Sequence, residues 1–578
     1  MRYRWIHRDV SCTTTLQRLC GELNALPEAL GRALMLRGVE TFDAARSFFR
    51  PSRDLLHSPL EMADMDAAVE RLSRAISQGE RVLIYGDYDV DGTTATALLV
   101  SFLRSRTDVS YFIPDRYQDG YGLNVRGIDH AADIGASLII AVDCGITAID
   151  EAQYARERGI DLIICDHHTP KPALPECTAV IDPKRTDCRY PFKELSGCGI
   201  AFKLVIATLE ALGESTEEAY DYLDLVALST ASDIVPMVGE NRILMAEGLA
   251  CLGRGARPGI RQLAELAGVD LATCSTSRIV FGIGPRINAA GRLGHASLAV
   301  DLLLAEQSDE AAALARQLEE LNQQRRTLDA KTAGEALKVA DRQITSGMPH
   351  ALVLYDPEWH LGVIGIVASR IVEQYYRPAV MLTSVDGEIK GSARSITGLN
   401  IYEALKACED LLTQFGGHDY AAGLSLPEQN LPEFRKRLNE VVGGMIEPDM
   451  LTPAIDYDAR LEVGEISPRL WAILRQFEPF GPENPTPVFH ASALQVVGRP
   501  RLLGKSETHL KFRVRDLAGG SPEEVIGFNM ANRFDDVAQS SRHGKPLELL
   551  YSIEENHWNG RTTLQLRARD LRLSNPSD

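Results

Sequence analysis

No stretch of this 578-residue chain approaches the ~20 consecutive apolar residues that would cross a bilayer, so no membrane role is expected. The opening residues MRYRWIHRDVSC lack the apolar core of a secretory signal, which points to the cytoplasm. The ten cysteines contain no CxxC pair at zinc-site spacing, and a reducing compartment argues against a disulfide framework. Cys144 and Cys165 read as small buried residues at strand ends. A basic excess is missing too. Lys and Arg number 61 against 80 Asp and Glu, a formal charge of −19. That excludes indiscriminate binding to nucleic acid and leaves only local basic patches for such contacts. Hydrophobic content of 45% and charged content of 24% are those of a soluble globular protein, and the length requires about two to four domains.

What is present centres on Val82–Ala97, VLIYGDYDVDGTTATA. Val82–Tyr85 is a short apolar, β-branched run and reads as a buried parallel strand. Asp87, Asp89 and Asp91 follow at alternate positions, and Gly92 allows a sharp turn. Thr93 and Thr94 are candidate caps for the helix beyond. Three carboxylates this close are costly without a cation, although one acidic cluster also reads as a solvated loop.

Further apolar runs repeat the arrangement. Ser137–Val142 ends in Asp143-Cys144-Gly145, and Asp161–Cys165 ends in Asp166-His167-His168. In an open parallel α/β sheet, C-terminal strand ends line the ligand crevice. Asp233 follows the apolar run Leu225–Leu228. Carboxylates combined with imidazole suit Mn²⁺, Zn²⁺ or Fe better than Mg²⁺ alone.

Around these runs, Arg81–Val235 alternates strand and helix, the pattern of a parallel sheet with right-handed crossovers. Residues 1–80 are mainly helical, with Met65–Ser77 amphipathic. The loop DRYQDGYGLN (Asp115–Asn124) carries Arg116, which reads equally as a phosphate ligand or an ion-pair partner. FGIGPRINAAGRLG brings Arg286, Asn288 and Arg292 among glycines that allow close backbone approach. Leu302–Leu337 has no Pro and a helical leucine spacing, which predicts a long helix between two lobes. A smaller α/β lobe follows over Ala351–Gly423. Its segments GSARS and FGGHDYAAG read as Gly-rich turns offering Ser392, Arg394, Ser395, Gly417 and His418 to an anion. His418 taken alone reads as a satisfied core histidine. After the Pro-rich Phe477–Phe489, short alternating strands predict a small barrel of the OB type. Arg499, Arg501, Lys505, Lys511, Arg513 and Arg515 gather on its early strands, and Phe512, Phe528 and Trp558 are candidates to stack bases. The tail NPSD is expected to be disordered.

The motifs GDYDVDG, VDCG, CDHH and SDIVP resemble the signatures of the DHH phosphoesterase superfamily. GPRINAAGRLG, WHLGVIGIVASR, GSARS and FGGHDYAAG are similar to segments of its RecJ family of bacterial exonucleases, whose members commonly read GSGRS where this chain has Ala393. The resemblance implies an α/β protein with a parallel-sheet DHH domain (81–300) behind an N-terminal helical region (1–80). A connecting helix (301–345) leads to a DHH-associated substrate-binding lobe (346–450), and an OB-like barrel (451–578) follows. It implies a single-strand-specific 5′→3′ exodeoxyribonuclease that releases 5′-mononucleotides in DNA repair and recombination, uses two divalent ions (Mn²⁺ preferred, or Mg²⁺) and acts as a monomer. Asp87 and Asp89 would serve one ion, and Asp91, His167 and Asp233 the other, with Asp143 bridging. His168 would orient water or stabilise the leaving oxygen, and Asp166 would orient His167. Arg286, Arg394 and His418 would clamp the strand, beside Arg116, Asn288, Arg292, Ser392, Ser395 and Gly417. Single-strand-binding protein and a RecQ-type helicase are the implied partners. Three alternatives remain at this point. One is a DHH phosphodiesterase on short oligoribonucleotides or cyclic dinucleotides, one a manganese pyrophosphatase, and one an inactive DHH scaffold that clamps single strands.

Overall fold

The computed structural model describes residues 3–504, 506–558 and 561–574. Lys505, the side chain of Trp558 and the tail 575–578 lie outside the described residues. The chain forms two compact units, one made of Arg53–Leu451 and the other of Met1–Ser52 with Thr452–Asp578.

In the larger unit the five-stranded sheet runs in the order Asp108–Phe112, Arg81–Tyr85, Leu138–Val142, Asp161–Cys165, Ala179–Ile181. Every pairing in it is parallel. The apolar runs follow from this placement. Successive strand residues face opposite sides, and both sides are covered. Val82, Ile84, Ile140 and Ile163 enter one core with the helix Val90–Leu103, while Leu83, Tyr85, Ile139 and Ile164 enter another. Asp89 caps that helix by accepting from the Gly92 amide at 3.1 Å. A Cβ on Gly92 would stand 2.6 Å from the Asp87 backbone, so only glycine lets the helix start this close to the acidic turn.

The connector is a 40-residue helix, Ser308–Gly347, about 60 Å long. It begins later than the leucine spacing predicts, because Ala305 turns extended after the helix Ser297–Leu304. Asp309 and Glu310 then sit in its first turn, where acids favour a helix N-terminus. The second lobe is a mixed sheet in the order Gln414–Gly417, Ala421–Leu426, Glu388–Arg394, Ala379–Val385, Leu352–Tyr355, crossed by the helix Leu361–Tyr375. Gly391–Arg394 of GSARS are therefore strand and not turn, and Ser395 follows the strand end. The strand's alternation sends Ala393 into the lobe's core, which absorbs the methyl group that distinguishes it from glycine.

In the smaller unit, Phe489–Val496, Leu547–Trp558, Arg561–Leu573, Gly519–Gly527 and His509–Asp516 pair in sequence, and the last returns to the first. That closure is the expected barrel. The helices Thr13–Glu22, Glu28–Met35 and Phe42–Phe49 share its core, with Leu16, Leu30 and Phe48 packed in the same cluster as Phe489 and Leu549. The structure thus does not treat residues 1–80 as one region. The first three helices belong with the barrel, and Met65–Gln78 packs on the parallel sheet through Leu72 and Ala75.

Candidate metal centre and phosphate pocket

The C-terminal strand ends, the first turn of the helix Val90–Leu103 with Asp91 and the end of the helix Leu223–Ser232 with Asp233 bring the acids and histidines together. Nε2 of His167 lies 3.2 Å from Asp143 Oδ1, 3.5 Å from Asp233 Oδ2 and 3.7 Å from Asp91 Oδ2. The ligand atoms of Asp91, His167 and Asp233 fall within 4.8 Å of one another, and so do those of Asp87, Asp89 and Asp143 and those of Asp143, His167 and His168. Asp143 itself has φ of +60°, a left-handed conformation that aims its carboxylate inward at the strand end. Asp91 is held by the start of the helix Gly197–Leu212: the amides of Gly197 and Cys198 each donate to it at 2.7 Å, and Ser229 Oγ donates at 2.7 Å. Sequence reading passed over Gly197 and Ser229. The only signal was Ser196 before an apolar run, a helix cap.

This charge density identifies what the cluster takes. Burial raises the carboxyl pKa of Asp87, Asp89, Asp91 and Asp143, and the neighbouring carboxylates raise it further. Asp87 Oδ1, Asp143 Oδ1 and Asp233 Oδ2 are buried and have no protein hydrogen-bond partner. Buried, unpartnered, mutually repelling carboxylate oxygens beside imidazole are a donor set for divalent cations.

Asp166 behaves differently. Its Oδ1 accepts from Nδ1 of His168 at 2.7 Å and from the His167 and His168 amides, while Oδ2 accepts from the Ile146 amide at 2.9 Å. Burial acts to raise its pKa, but these bonds and the histidine charges bring it down to about 2. On His168 burial acts downward, and Asp166 with the nearby acids lifts the imidazole to about 9. Asp166 therefore orients the His168 ring, whereas the sequence reading assigned it to His167.

A second group of residues surrounds the start of the helix Leu361–Tyr375. Burial pushes Arg292 down to about 10, and Arg116, Arg325 and Arg394 push the same way. Arg394 is lowered by burial and then by Arg116. Among the described residues no ion pair is formed by Arg116, Arg292 or Arg394. Arg292 donates to the Gly362 carbonyl at 3.1 Å, and Arg394 to Ser392 Oγ at 2.9 Å. A Cβ on Gly365 would lie 3.0 Å from both Arg394 Nη2 and Ser392 Oγ, so the helix is bare where the guanidinium approaches. Converging arginines without carboxylates make a pocket for phosphate. Arg325 had no signal in the sequence, since it is one of many charges on the long helix.

Other expected residues lie elsewhere. Arg286 is engaged by Glu319 at 2.6 Å and by the carbonyls of Gly282 and Leu266, so its guanidinium serves the packing of the long helix. Asn288 is half-buried on the helix Gly284–Leu293. Ser395 Oγ donates to the Leu399 carbonyl at 2.7 Å and is spent within its own turn. Gly417 makes a tight hairpin, in which a Cβ would stand 2.3 Å from the Ala421 carbonyl, and His418 is exposed at its tip. On the barrel, Phe512 is 2% exposed and belongs to the core, so it cannot stack a base. Lys511 pairs with Glu524 at 2.7 Å, and Arg513 is exposed. Of the two candidate aromatics whose side chains are described, Phe528 is the exposed one, at 45%, with the Arg567 guanidinium 5.2 Å from its ring centre. It lines a cavity of about 300 Å³ that also includes Arg569.

Three family models match the chain: the DHH family N-terminal domain over residues 81–230, the DHHA1 domain over 349–444 and the RecJ OB domain over 457–570. The single-stranded-DNA-specific exonuclease RecJ of Bacillus subtilis is 38% identical over 548 residues, covering 94% of this chain and 67% of that protein. Its counterpart in Escherichia coli is 37% identical over 563 residues, covering 94% and 95%. RecJ of Thermus thermophilus, solved with Mn²⁺, superposes at a TM-score of 0.82 with 32% identity, over 99% of this chain and 80% of that one. The same protein solved with Mg²⁺ gives a TM-score of 0.77 with 31% identity, over 99% and 79%. With the acid and histidine cluster at the strand ends, the arginine pocket and the barrel all within these matches, the chain belongs to the RecJ family.

Proposed function

We propose that this chain is a metal-dependent exonuclease that hydrolyses single-stranded DNA, working from the 5′ end and releasing 5′-mononucleotides. The observation that carries the reading is the meeting of Asp91, His167 and Asp233 with Asp87, Asp89 and Asp143 at one end of the parallel sheet. Asp87, Asp89 and Asp143 would hold one divalent ion and Asp91, His167 and Asp233 the other, with Asp143 reaching both. When bound, Mn²⁺ or Mg²⁺ acidifies a water molecule and offsets the charge that builds on the phosphoryl oxygens. His168, oriented by Asp166, presents a proton toward the departing oxygen.

The arginine pocket supports the polarity. Arg116, Arg292 and Arg394 gather positive charge and form no ion pair among the described residues, and a terminal phosphate carries more negative charge than an internal diester. We assign the chemistry to residues 81–300, the phosphate pocket to 346–450 with Arg116, Arg292 and the helix of 301–345, and the grip on longer strands to 451–578. Phe528 and Arg567 are the stacking pair of that last region. A phosphodiesterase for short oligonucleotides would not need the barrel, and an inactive scaffold would not keep every ligand position filled. We further propose a cytoplasmic monomer that works with single-strand-binding protein and a RecQ-type helicase.

The test is digestion of end-labelled single- and double-stranded oligonucleotides with Mn²⁺, Mg²⁺ or EDTA. The 5′ label should leave single strands early as a mononucleotide, while blunt duplex and EDTA samples stay intact. A ladder of shortening 5′-labelled strands would overturn the polarity.

A further inference from the structure

The loop Asp115–Asn124 contributes more than Arg116 to the site. Gly120 and Gly122 adopt φ of +80° and +92°, and these two bends carry Tyr121 back over the strand ends. The loop is anchored there by Tyr85, whose hydroxyl donates to the Gly122 carbonyl at 2.8 Å. The Tyr121 hydroxyl lies 3.2 Å from the Asp143 carbonyl oxygen and 3.3 Å from each ring nitrogen of His168. A carbonyl oxygen only accepts, so the phenol proton goes to Asp143 and the phenol lone pairs face the imidazole. Tyr121 also meets the His168 ring edge-on at 5.8 Å, and the Tyr88 ring at 6.4 Å. Tyr88 in turn lies under the Arg116 guanidinium at 4.7 Å.

Asp166 holds the His168 ring at Nδ1 alone, and a ring hydrogen-bonded at one atom can still tilt. The Tyr121 hydroxyl supplies a second point of contact on the same ring, from a different segment of chain. We propose that Tyr121 is a positioning residue for His168: its hydroxyl fixes the tilt of the imidazole toward the reacting phosphate. In the sequence Tyr121 stands out only as an aromatic between two glycines, in a loop expected near the crevice. The inference rests on the role given to His168 above, and the experiment separates the two.

Full-length Tyr121→Phe, His168→Ala and the double variant are compared by single-turnover cleavage of a short 5′-labelled single strand with Mn²⁺, by strand affinity and by Mn²⁺ titration without substrate. Tyr121→Phe keeps the ring and removes one oxygen. Its cleavage rate should fall about tenfold or more, with strand affinity and Mn²⁺ binding unchanged. The double variant should be no slower than His168→Ala, because residues acting through one another are not additive. A wild-type rate for Tyr121→Phe beside a slow His168→Ala would overturn this inference alone. So would additive losses, or a loss seen only in strand affinity, which would make Tyr121 a substrate contact. A wild-type rate for His168→Ala would overturn the role of His168 as well.

Discussion

A methyl group placed on Gly197 would stand 2.8 Å from the Asp143 Cβ and 3.0 Å from Asp143 Oδ1. The first turn of the helix Gly197–Leu212 therefore sets two carboxylates at once. Its amides hold Asp91, and its bare α-carbon lets Asp143 lie against it. Gly197→Ala should push the Asp143 carboxylate out of place and cost about 10–100-fold in Mn²⁺ affinity or in kcat, with little change in strand binding. Calorimetric Mn²⁺ titration and single-turnover cleavage check this, and an unaffected variant would show that the cluster tolerates a displaced Asp143.

Asp143 belongs to two ligand sets, one with Asp87 and Asp89 and one with His167 and His168. Removing it should cost at least ~10³ in kcat, as expected when a main source of electrostatic stabilisation is lost. The metal-free fold should be as stable as before or more so, because one of several repelling carboxylates has gone. Rates with Mn²⁺ and thermal melting in EDTA decide the matter, and near-wild-type hydrolysis by Asp143→Ala would refute the shared-ligand assignment.

The raised carboxyls give a pH dependence with a definite sign. Asp87, Asp89, Asp91 and Asp143 are shifted upward first by burial and then by neighbouring charges. Their unfolded pKa is about 4, so their stabilising effect is complete below that pH and is lost as pH rises through the folded values. Metal-free protein should become less stable from about pH 4 upward, and Mn²⁺ or Mg²⁺ should restore the loss. The gap between melting temperatures with metal and with EDTA should widen as pH rises; a narrowing gap would contradict the assignment.

Arg394 is half-buried beside Ser392 and forms no ion pair among the described residues. Arg394→Ala should weaken binding of 5′-phosphorylated strands by about tenfold or more, since a charge-assisted bond to phosphate contributes roughly 1.5–3 kcal/mol. Strands with a 5′-hydroxyl should be affected less. Equal losses for both ends would place Arg394 on the internal backbone instead.

The barrel should act on grip and not on chemistry. Phe528→Ala with Arg567→Ala removes one base stack, at about 1–3 kcal/mol, and flattens the salt dependence by about 0.7 for one phosphate contact. Short oligonucleotides at high enzyme concentration should still be cut at the wild-type single-turnover rate. Affinity for long strands against salt is the measurement, and an unchanged slope would make this face structural.

The ligand cluster was readable because each piece is local. Three apolar runs put Asp87, Asp143 and the Asp166-His167-His168 segment at strand ends, and GDYDVDG contains the glycine that its own turn requires; the run before Asp233 is instead the helix Leu223–Ser232, which delivers its acid from a helix end. The barrel was readable from alternation, and its base-stacking face was not. Phe512 and Phe528 look alike in sequence, and only the closure of the sheet buries one and exposes the other.

Composition and pattern by themselves determined the parallel sheet, its acidic strand ends, the long connecting helix and the barrel. These follow from short-range periodicity and from the cost of gathering like charges without a cation. The tertiary structure alone decided which cations are paired. Arg286 and Arg292 are six residues apart in one glycine-rich motif, yet Glu319 neutralises the first while other arginines surround the second. It also decided that Asp166 serves His168, that Gly197 sets Asp143, and that residues 13–49 complete the barrel's core. Each of these depends on a contact between residues distant in sequence or on the direction of a side chain, and neither property is encoded in the spacing along the chain.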